Sequence, residues 1–414
     1  MSREPGERNG MRFFALVLAL FLGWATVPDR SATAAEWSVA PSMEQKSAFN
    51  SNLFWDYQNR SPKSDFVFTF TPAAAFKYST EVVQLEGRTS LIGLHYLSHP
   101  SVDHIDQNQL INGGYKVTPR LGLNLNASYI VDSTMAQEQV TSGTFATLRP
   151  RQAVSVTPGV SYSLTERTSL QSSYNYSRIS YKDPGLRPYD QQQVNLTLSH
   201  LLTNQKTTLI SNTLVRRMQY DSGDLFQSLG LQGGLAHKFS EDWGTEALAG
   251  VNLSRDSFRT QVYGAPIAPY YFIRTTTVQK KQSMTSPYFK VSLYRQWTNL
   301  RLALSYLRDE QATAAGAINE TNNLSITGSY QFTERLSTNI MVGYYYSTQA
   351  FNTGNYKNQS INVNAGLNYK LTERFTSSLQ YIYGFRNDMT NDYFGYQHIV
   401  TLMFNYSYPI TYQK

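Results

Sequence analysis

Tyr369-Lys370-Leu371-Thr372-Glu373-Arg374-Phe375 is the stretch that decides the fold, because the chain keeps repeating it. It returns as Tyr330-Gln331-Phe332-Thr333-Glu334-Arg335-Leu336 and as Tyr162-Ser163-Leu164-Thr165-Glu166-Arg167-Thr168. Looser copies run from Tyr115 to Leu121 and from His237 to Trp243. In each copy two apolar or aromatic residues, spaced two apart, close an alternating run. A small hydroxyl residue and polar neighbours follow, and a new alternating run opens. Thr and Ser hydroxyls bond the nearby backbone and Pro presets φ, so this is turn chemistry between two strands. Weaker turns of the same kind sit at Ser79-Thr80-Glu81, Thr203-Asn204-Gln205 and Thr298-Asn299. The turn hydroxyls fall at 80, 118, 165, 203, 240, 298, 333 and 372, so the gaps run from 35 to 58 residues. Each gap holds two strands of roughly ten or more residues and one longer loop, the layout of a transmembrane β-barrel.

The segments between turns alternate with period two, which puts successive side chains on opposite faces. Leu121, Leu123, Leu125, Ala127 and Tyr129 share one face; Gly122, Asn124, Asn126 and Ser128 share the other. Ile361, Val363, Ala365, Leu367 and Tyr369 alternate with Asn362, Asn364, Gly366 and Asn368. A soluble sandwich would show Lys and Glu to bulk water on its polar faces. Here those faces carry Asn, Ser, Thr, Gln and Gly, which suits a confined lumen. The predicted fold is therefore all-β, an antiparallel up-and-down transmembrane barrel of about 18 strands, with 16 as the alternative because residues 44–57 and 204–225 have the weakest patterns. Pro72 is awkward within a sheet and predicts a bulge. Tyr115, Tyr162, Tyr330 and Tyr369 precede turns by three residues, and Tyr129, Tyr176, Tyr220, Tyr306, Tyr346 and Tyr383 lie roughly ten residues beyond one; this offset predicts two aromatic girdles.

Composition agrees. Of 414 residues 30 are Tyr and 21 Phe, only 16% are charged, and Cys is absent. Globular domains average about 25% charged. A mean hydropathy of −0.40 excludes a helical membrane protein but not a barrel, half of whose strand residues face a polar lumen. The formal charge of +7 is scattered, with no basic run, so nucleic acid is not an expected partner. Without Cys there are no disulfides, thiolate metal sites or covalently attached haem.

Residues 1–35 read as a signal peptide. Arg12 precedes the apolar run Phe13–Gly23, too short to span a bilayer as a helix, and Ala32-Thr33-Ala34 supplies small residues for cleavage after Ala34 or Ala35. Residues 36–43 read as a periplasmic lead-in and 44–414 as the barrel, with the first strand within 44–57. The last strand shows Val400, Leu402, Phe404, Tyr406, Tyr408, Ile410 and Tyr412 on one face, interrupted at Pro409.

Catalysis finds little support, and no enzyme is expected. His95, His99 and His104 lie close to Asp103 and Asp106, but their spacing matches no standard metal site. No cofactor or metal is expected. Charged residues at lumen positions are few: Glu86, Arg88, Glu246, Lys290 and Arg301 are the candidates for selectivity. The longest gap between turns contains an aromatic, proline-stiffened stretch in which Tyr263, Tyr270, Tyr271 and Phe272 are candidates for narrowing the lumen.

The signal peptide, the girdles and the repeated Tyr-x-Leu-Thr-Glu-Arg turns resemble a Gram-negative outer-membrane porin-like barrel. The Thr-Glu-Arg turns and the Asn, Ser and Tyr-rich strands are similar to β-barrel porins of exopolysaccharide-export loci, and less specifically to porin–cytochrome conduit barrels. The resemblance covers residues 44–414 and is one of pattern. It implies residence in the outer membrane, contact with its lipid, and insertion by the barrel-assembly machinery. It implies passive or weakly selective passage of solutes or saccharide, with a polysaccharide-export partner. The conduit likeness implies instead a structural sheath or docking barrel for a periplasmic multihaem cytochrome.

Overall fold

The computed structural model describes residues 35–57, 61–133, 150–182, 186–263, 275–312, 318–349 and 357–413. The strands in chain order are β1 (Glu36–Asn50), β2 (Asp65–Ser79), β3 (Val83–Tyr96), β4 (His104–Lys116), β5 (Leu121–Ser133), β6 (Pro150–Ser163), β7 (Thr168–Tyr181), β8 (Tyr189–Leu201) and β9 (Thr207–Tyr220). They continue as β10 (Leu225–Lys238), β11 (Trp243–Tyr263), β12 (Thr275–Gln296), β13 (Leu300–Ala312), β14 (Ile318–Gln331), β15 (Leu336–Gln349), β16 (Lys357–Lys370), β17 (Phe375–Asp388), β18 (Tyr393–Ser407) and β19 (Ile410–Gln413). From β1 to β18 every strand pairs antiparallel with its neighbours in sequence, and β1 closes the sheet by pairing with β2 on one side and with β18 and β19 on the other. β19 continues β18 beyond the break at Pro409, so the wall has 18 positions, and a wall of this size leaves room for an aqueous channel.

The repeated motif does what its residues dictate. In the turns at Thr80, Thr118, Thr165, Thr333 and Thr372 the hydroxyl accepts the backbone N–H three residues on, at 2.9–3.1 Å. The turn expected at Thr203 uses the next residue instead: Asn204 Oδ1 accepts from the N–H groups of Lys206 and Thr207, both at 3.0 Å. Connections at the opposite end are mostly longer, but β9–β10 and β17–β18 turn there within Asp221–Asp224 and Met389–Asp392.

Three expectations need correction. Residues 36–43 are not a lead-in; they are the first half of β1, in register with Ser79 back to Pro72 on β2. Pro41 and several Ala and Ser residues blur the alternation there. Pro72 makes no bulge: the β2–β3 register is the same on both sides, and the ladder merely lapses opposite Thr71 and Pro72, where the missing N–H cannot donate. Tyr220 is not on the outward face with the other girdle tyrosines; it is buried among Tyr189, Met218, Phe226 and Ile318.

The register fixes the two faces of the wall. One stripe carries Leu229, Leu231, Val251, Leu253, Leu302, Leu304, Leu402 and Phe404, all well exposed. The other carries Ser228, Gln232, Asn252 and Ser254, all buried. Arg216 on β9 reaches Asp309 on β13, four strands away around the wall. Side chains of non-adjacent strands meet only across the interior, so the stripe of Arg216, Ser228 and Asn252 faces the lumen and the leucine-rich stripe faces out.

Candidate functional site

The lumen is narrowed from two sides by the chain's own segments. The first is the end of the β13–β14 hairpin. The β12–β13 ladder stops at Phe289↔Arg308, whereas β13 and β14 stay paired to Ala312↔Ile318. Beyond Arg308 β13 parts from β12, while β14 stays in register with β15 to Asn319↔Gln349, and the hairpin end leans inward against β8–β12. Ile318 fits among Tyr189, Met218, Tyr220 and Phe226, all on lumen positions of β8–β10. Glu310 is 1% exposed. Its carboxylate accepts from Ser254 and Ser286 and, at 3.4 Å, from Ser228, one hydroxyl from each of β11, β12 and β10. Arg216 Nη1 donates to the Glu310 carbonyl at 2.7 Å and Nη2 to Asp309 Oδ2 at 3.3 Å, while Asn252 donates to Asp309 Oδ1 at 3.0 Å. A buried carboxylate without partners would be costly; here each is held by several donors, so the cluster works as a latch.

The second segment is the connection after β1. Asn52 Oδ1 accepts from the Asp56 N–H at 2.8 Å, and its Nδ2 donates to the carbonyls of Asp56 and Tyr396. Gln397 Nε2 donates to the Asn52 carbonyl at 2.6 Å. This knot turns Leu53 and Trp55 into the barrel. Leu53 packs on Val67 and Tyr96, and Trp55 lies against Gly384 on β17. A Cβ at Gly384 would stand 2.2 Å from the indole, so only glycine admits this approach. Arg386 sits beside the same rings, 4.3 Å from the Tyr57 centroid and 5.7 Å from that of Trp55. Trp55 and Tyr57, read in the sequence as the end of the first strand, thus belong to a segment folded inward.

The five predicted selectivity residues all fall on lumen positions of the register, towards the turn end. Glu86 pairs with Lys77 at 3.2 Å and Glu246 with Lys290 at 2.7 Å. Arg88 and Arg301 are exposed and have no ion-pair partner among the described residues. Of the aromatic stretch expected to constrict the lumen, Tyr263 ends β11, in register with Thr275. Tyr270, Tyr271 and Phe272 lie outside the described residues.

The histidines do not converge. His95 bonds Asp103 at 2.6 Å, His99 bonds Asp65 at 2.8 Å, and His104 lies 3.5 Å from Asp106, each with its own carboxylate. The His95 hydrogen bond, helped by the Tyr96 N–H, holds the Asp103 carboxyl below its ordinary range. Among the described residues no group of three or more His, Asp or Glu is placed to hold a metal ion. His200 and His237 each bond a threonine hydroxyl near the turns, Thr168 and Thr207.

Between the two inward segments no other described segment covers the wall. Asn124 and Asn126 on β5, Ser161 on β6 and Gln171 on β7 are exposed on the lumen face. A continuous polar strip of wall therefore borders the space that the segments leave.

No protein-family model matches the chain, and no characterised protein matches its sequence. Among solved structures the chain is similar to Pseudomonas aeruginosa OpdK with vanillate, at 10% identity and a TM-score of 0.45 over 90% of this chain and 99% of that one. It is also similar to Acinetobacter baumannii OccAB3, at 12% identity and 0.44 over 90% and 99%. A third likeness is to Pseudomonas aeruginosa OccK2 (OpdF) in complex with glucuronate, at 10% identity and 0.44 over 92% and 98%.

Proposed function

We propose that the protein is a porin-like channel of the Gram-negative outer membrane through which solutes, saccharides among them, pass passively or with weak selectivity. One observation carries this reading: the closed wall has a leucine-rich outer stripe and an inner strip of exposed Asn, Ser and Gln on β5–β7 that neither inward segment covers. The outer stripe suits lipid and the inner strip suits water. In this reading the chain is exported, cleaved near Ala34 or Ala35 and inserted by the barrel-assembly machinery, with the short turns on the periplasmic side. Glu86, Arg88, Glu246, Lys290 and Arg301 contribute to selectivity at the turn end of the lumen. A sheath around a periplasmic cytochrome fits less well, because two of the chain's own segments take the room a threaded partner needs. A polysaccharide-export partner at the turn end remains compatible with it. Liposomes carrying the purified protein are expected to swell in iso-osmotic arabinose faster than in a tetrasaccharide; liposomes that swell no faster than protein-free ones overturn the reading.

A further inference from the structure

Under the inward segment after β1 lies a cavity of about 440 Å³. Leu53 and Trp55 form its roof; Met341, Tyr345, Ile382 and Ile399 line it from lumen positions of β15, β17 and β18. Amides from Asn323, Asn362 and Asn364 border it, and its described lining includes no charged side chain. That is unusual in this lumen, where charged groups occur at both ends. The volume lies within the range of small-molecule sites, which combine apolar walls with a few fixed polar groups.

Two further observations mark the cavity as a built site. Trp55 has φ of 54°, in the left-handed region that a bulky L-residue rarely adopts. Such strain persists only where the surroundings enforce it, as at ligand clamps. Here the Asn52 knot and the bare backbone of Gly384 enforce it, and the effect is to hold a large flat ring over the cavity. Beside it, Asn323 Oδ1 is buried and has no hydrogen-bond partner among the described residues.

We propose that this cavity is a binding chamber for an uncharged aromatic solute carrying hydroxyl groups. Its ring stacks under Trp55 between the aliphatic side chains, and its hydroxyls meet the amides of Asn323, Asn362 and Asn364. The guanidinium of Arg386 lies against the rings of Trp55 and Tyr57 and is not part of the cavity lining, so a carboxylate in the same place loses its hydration with no cation in the lining, and the chamber discriminates against acids of the same shape. The proposal rests on the reading of the barrel as a solute channel, but binding does not require conduction, so the two fail separately.

The test uses the full chain in detergent micelles and a matched pair of probes, 4-hydroxybenzyl alcohol and 4-hydroxybenzoate, followed by saturation-transfer NMR against protein-free micelles. The alcohol is expected to bind saturably and the benzoate at least about tenfold more weakly, a difference of about 1.4 kcal/mol. Trp55→Ala should weaken the alcohol about tenfold, with the barrel still folded by its heat-dependent gel migration. Ile382→Trp fills the cavity from the wall and should abolish binding without touching the roof, which keeps the proposal testable if Trp55→Ala does not fold. Equal binding of both probes, no saturable binding, or binding unaffected by Ile382→Trp overturns it.

Discussion

Arg216→Ala is expected to free the end of the β13–β14 hairpin from the wall and to raise single-channel conductance. Arg216 is buried and donates to both the Asp309 carboxylate and the Glu310 carbonyl. Removing one partner of a buried ion pair costs about 3–5 kcal/mol, because the other charge stays buried. Among the described residues of the hairpin end, Ile318 is the one apolar side chain buried in the opposite cluster. Burying such a side chain contributes about 1.5–3 kcal/mol. The loss exceeds that contribution and leaves Asp309 with Asn252 as its remaining donor, so the docked state opens far more often, although the serine bonds to Glu310 and the ladder of β14 with β15 persist. The ladders of β9 with β8 and β10 do not depend on this side chain, so the barrel itself should persist. Arg178→Ala, which breaks ion pairs with Asp190 and Asp221 on the outward face, is the control and should leave conductance unchanged. Added protease should also cut within residues 308–320 faster in Arg216→Ala than in the wild type. Unaltered conductance and cleavage would show that the latch does not hold the hairpin.

Leu231→Arg is expected to destabilise the protein by about 2–4 kcal/mol in bilayers, the cost of a cation at the membrane midplane. Leu231 is the seventh of the 14 residues of β10 and is 46% exposed on the outward stripe. Asn124→Arg places the same charge on an exposed lumen position and should be tolerated. Urea titration of folded protein in lipid vesicles measures both. Equal damage from the two substitutions would contradict the face assignment on which the whole reading depends.

The wall was legible in the sequence because its cause is local. A hydroxyl that can accept the N–H three residues on, followed by strict alternation, specifies a hairpin whatever lies elsewhere in the chain. The repeated Tyr-x-Leu-Thr-Glu-Arg copies therefore placed the turns and the strand number. The start of β1 was misread because Ala40, Pro41 and Ser42 weaken the alternation. The interior was less legible, since its causes are non-local. Glu310 and Arg216 are far apart in sequence, and the alternation that places Glu310 with the outward Arg308 holds only until β13 parts from β12. A signal was nevertheless present. Tyr189, Leu214, Met218, Tyr220 and Phe226 are large apolar residues clustered on a lumen stripe that also carries Arg216 and several Asn, Ser, Gln, Thr and Gly residues. Tyr96, Met341, Tyr345, Ile382 and Ile399 form a second such group. Apolar side chains on a lumen stripe announce that something packs there. Tyr220 stands at a girdle's distance from a turn, but its parity puts it on the lumen stripe. The aromatic stretch of residues 262–272 suggests a constriction by composition, whereas the described constrictions come from residues 51–57, 308–312 and 318–320, with more modest sequences.

The most direct test of the central claim is planar-bilayer recording of the purified chain with no partner added. A closed wall of 18 positions with an uncovered polar strip predicts discrete, stable current steps from the wild type alone. Persistent silence of the folded wild-type protein, in symmetric salt and at both polarities, would contradict an open passage through the lumen.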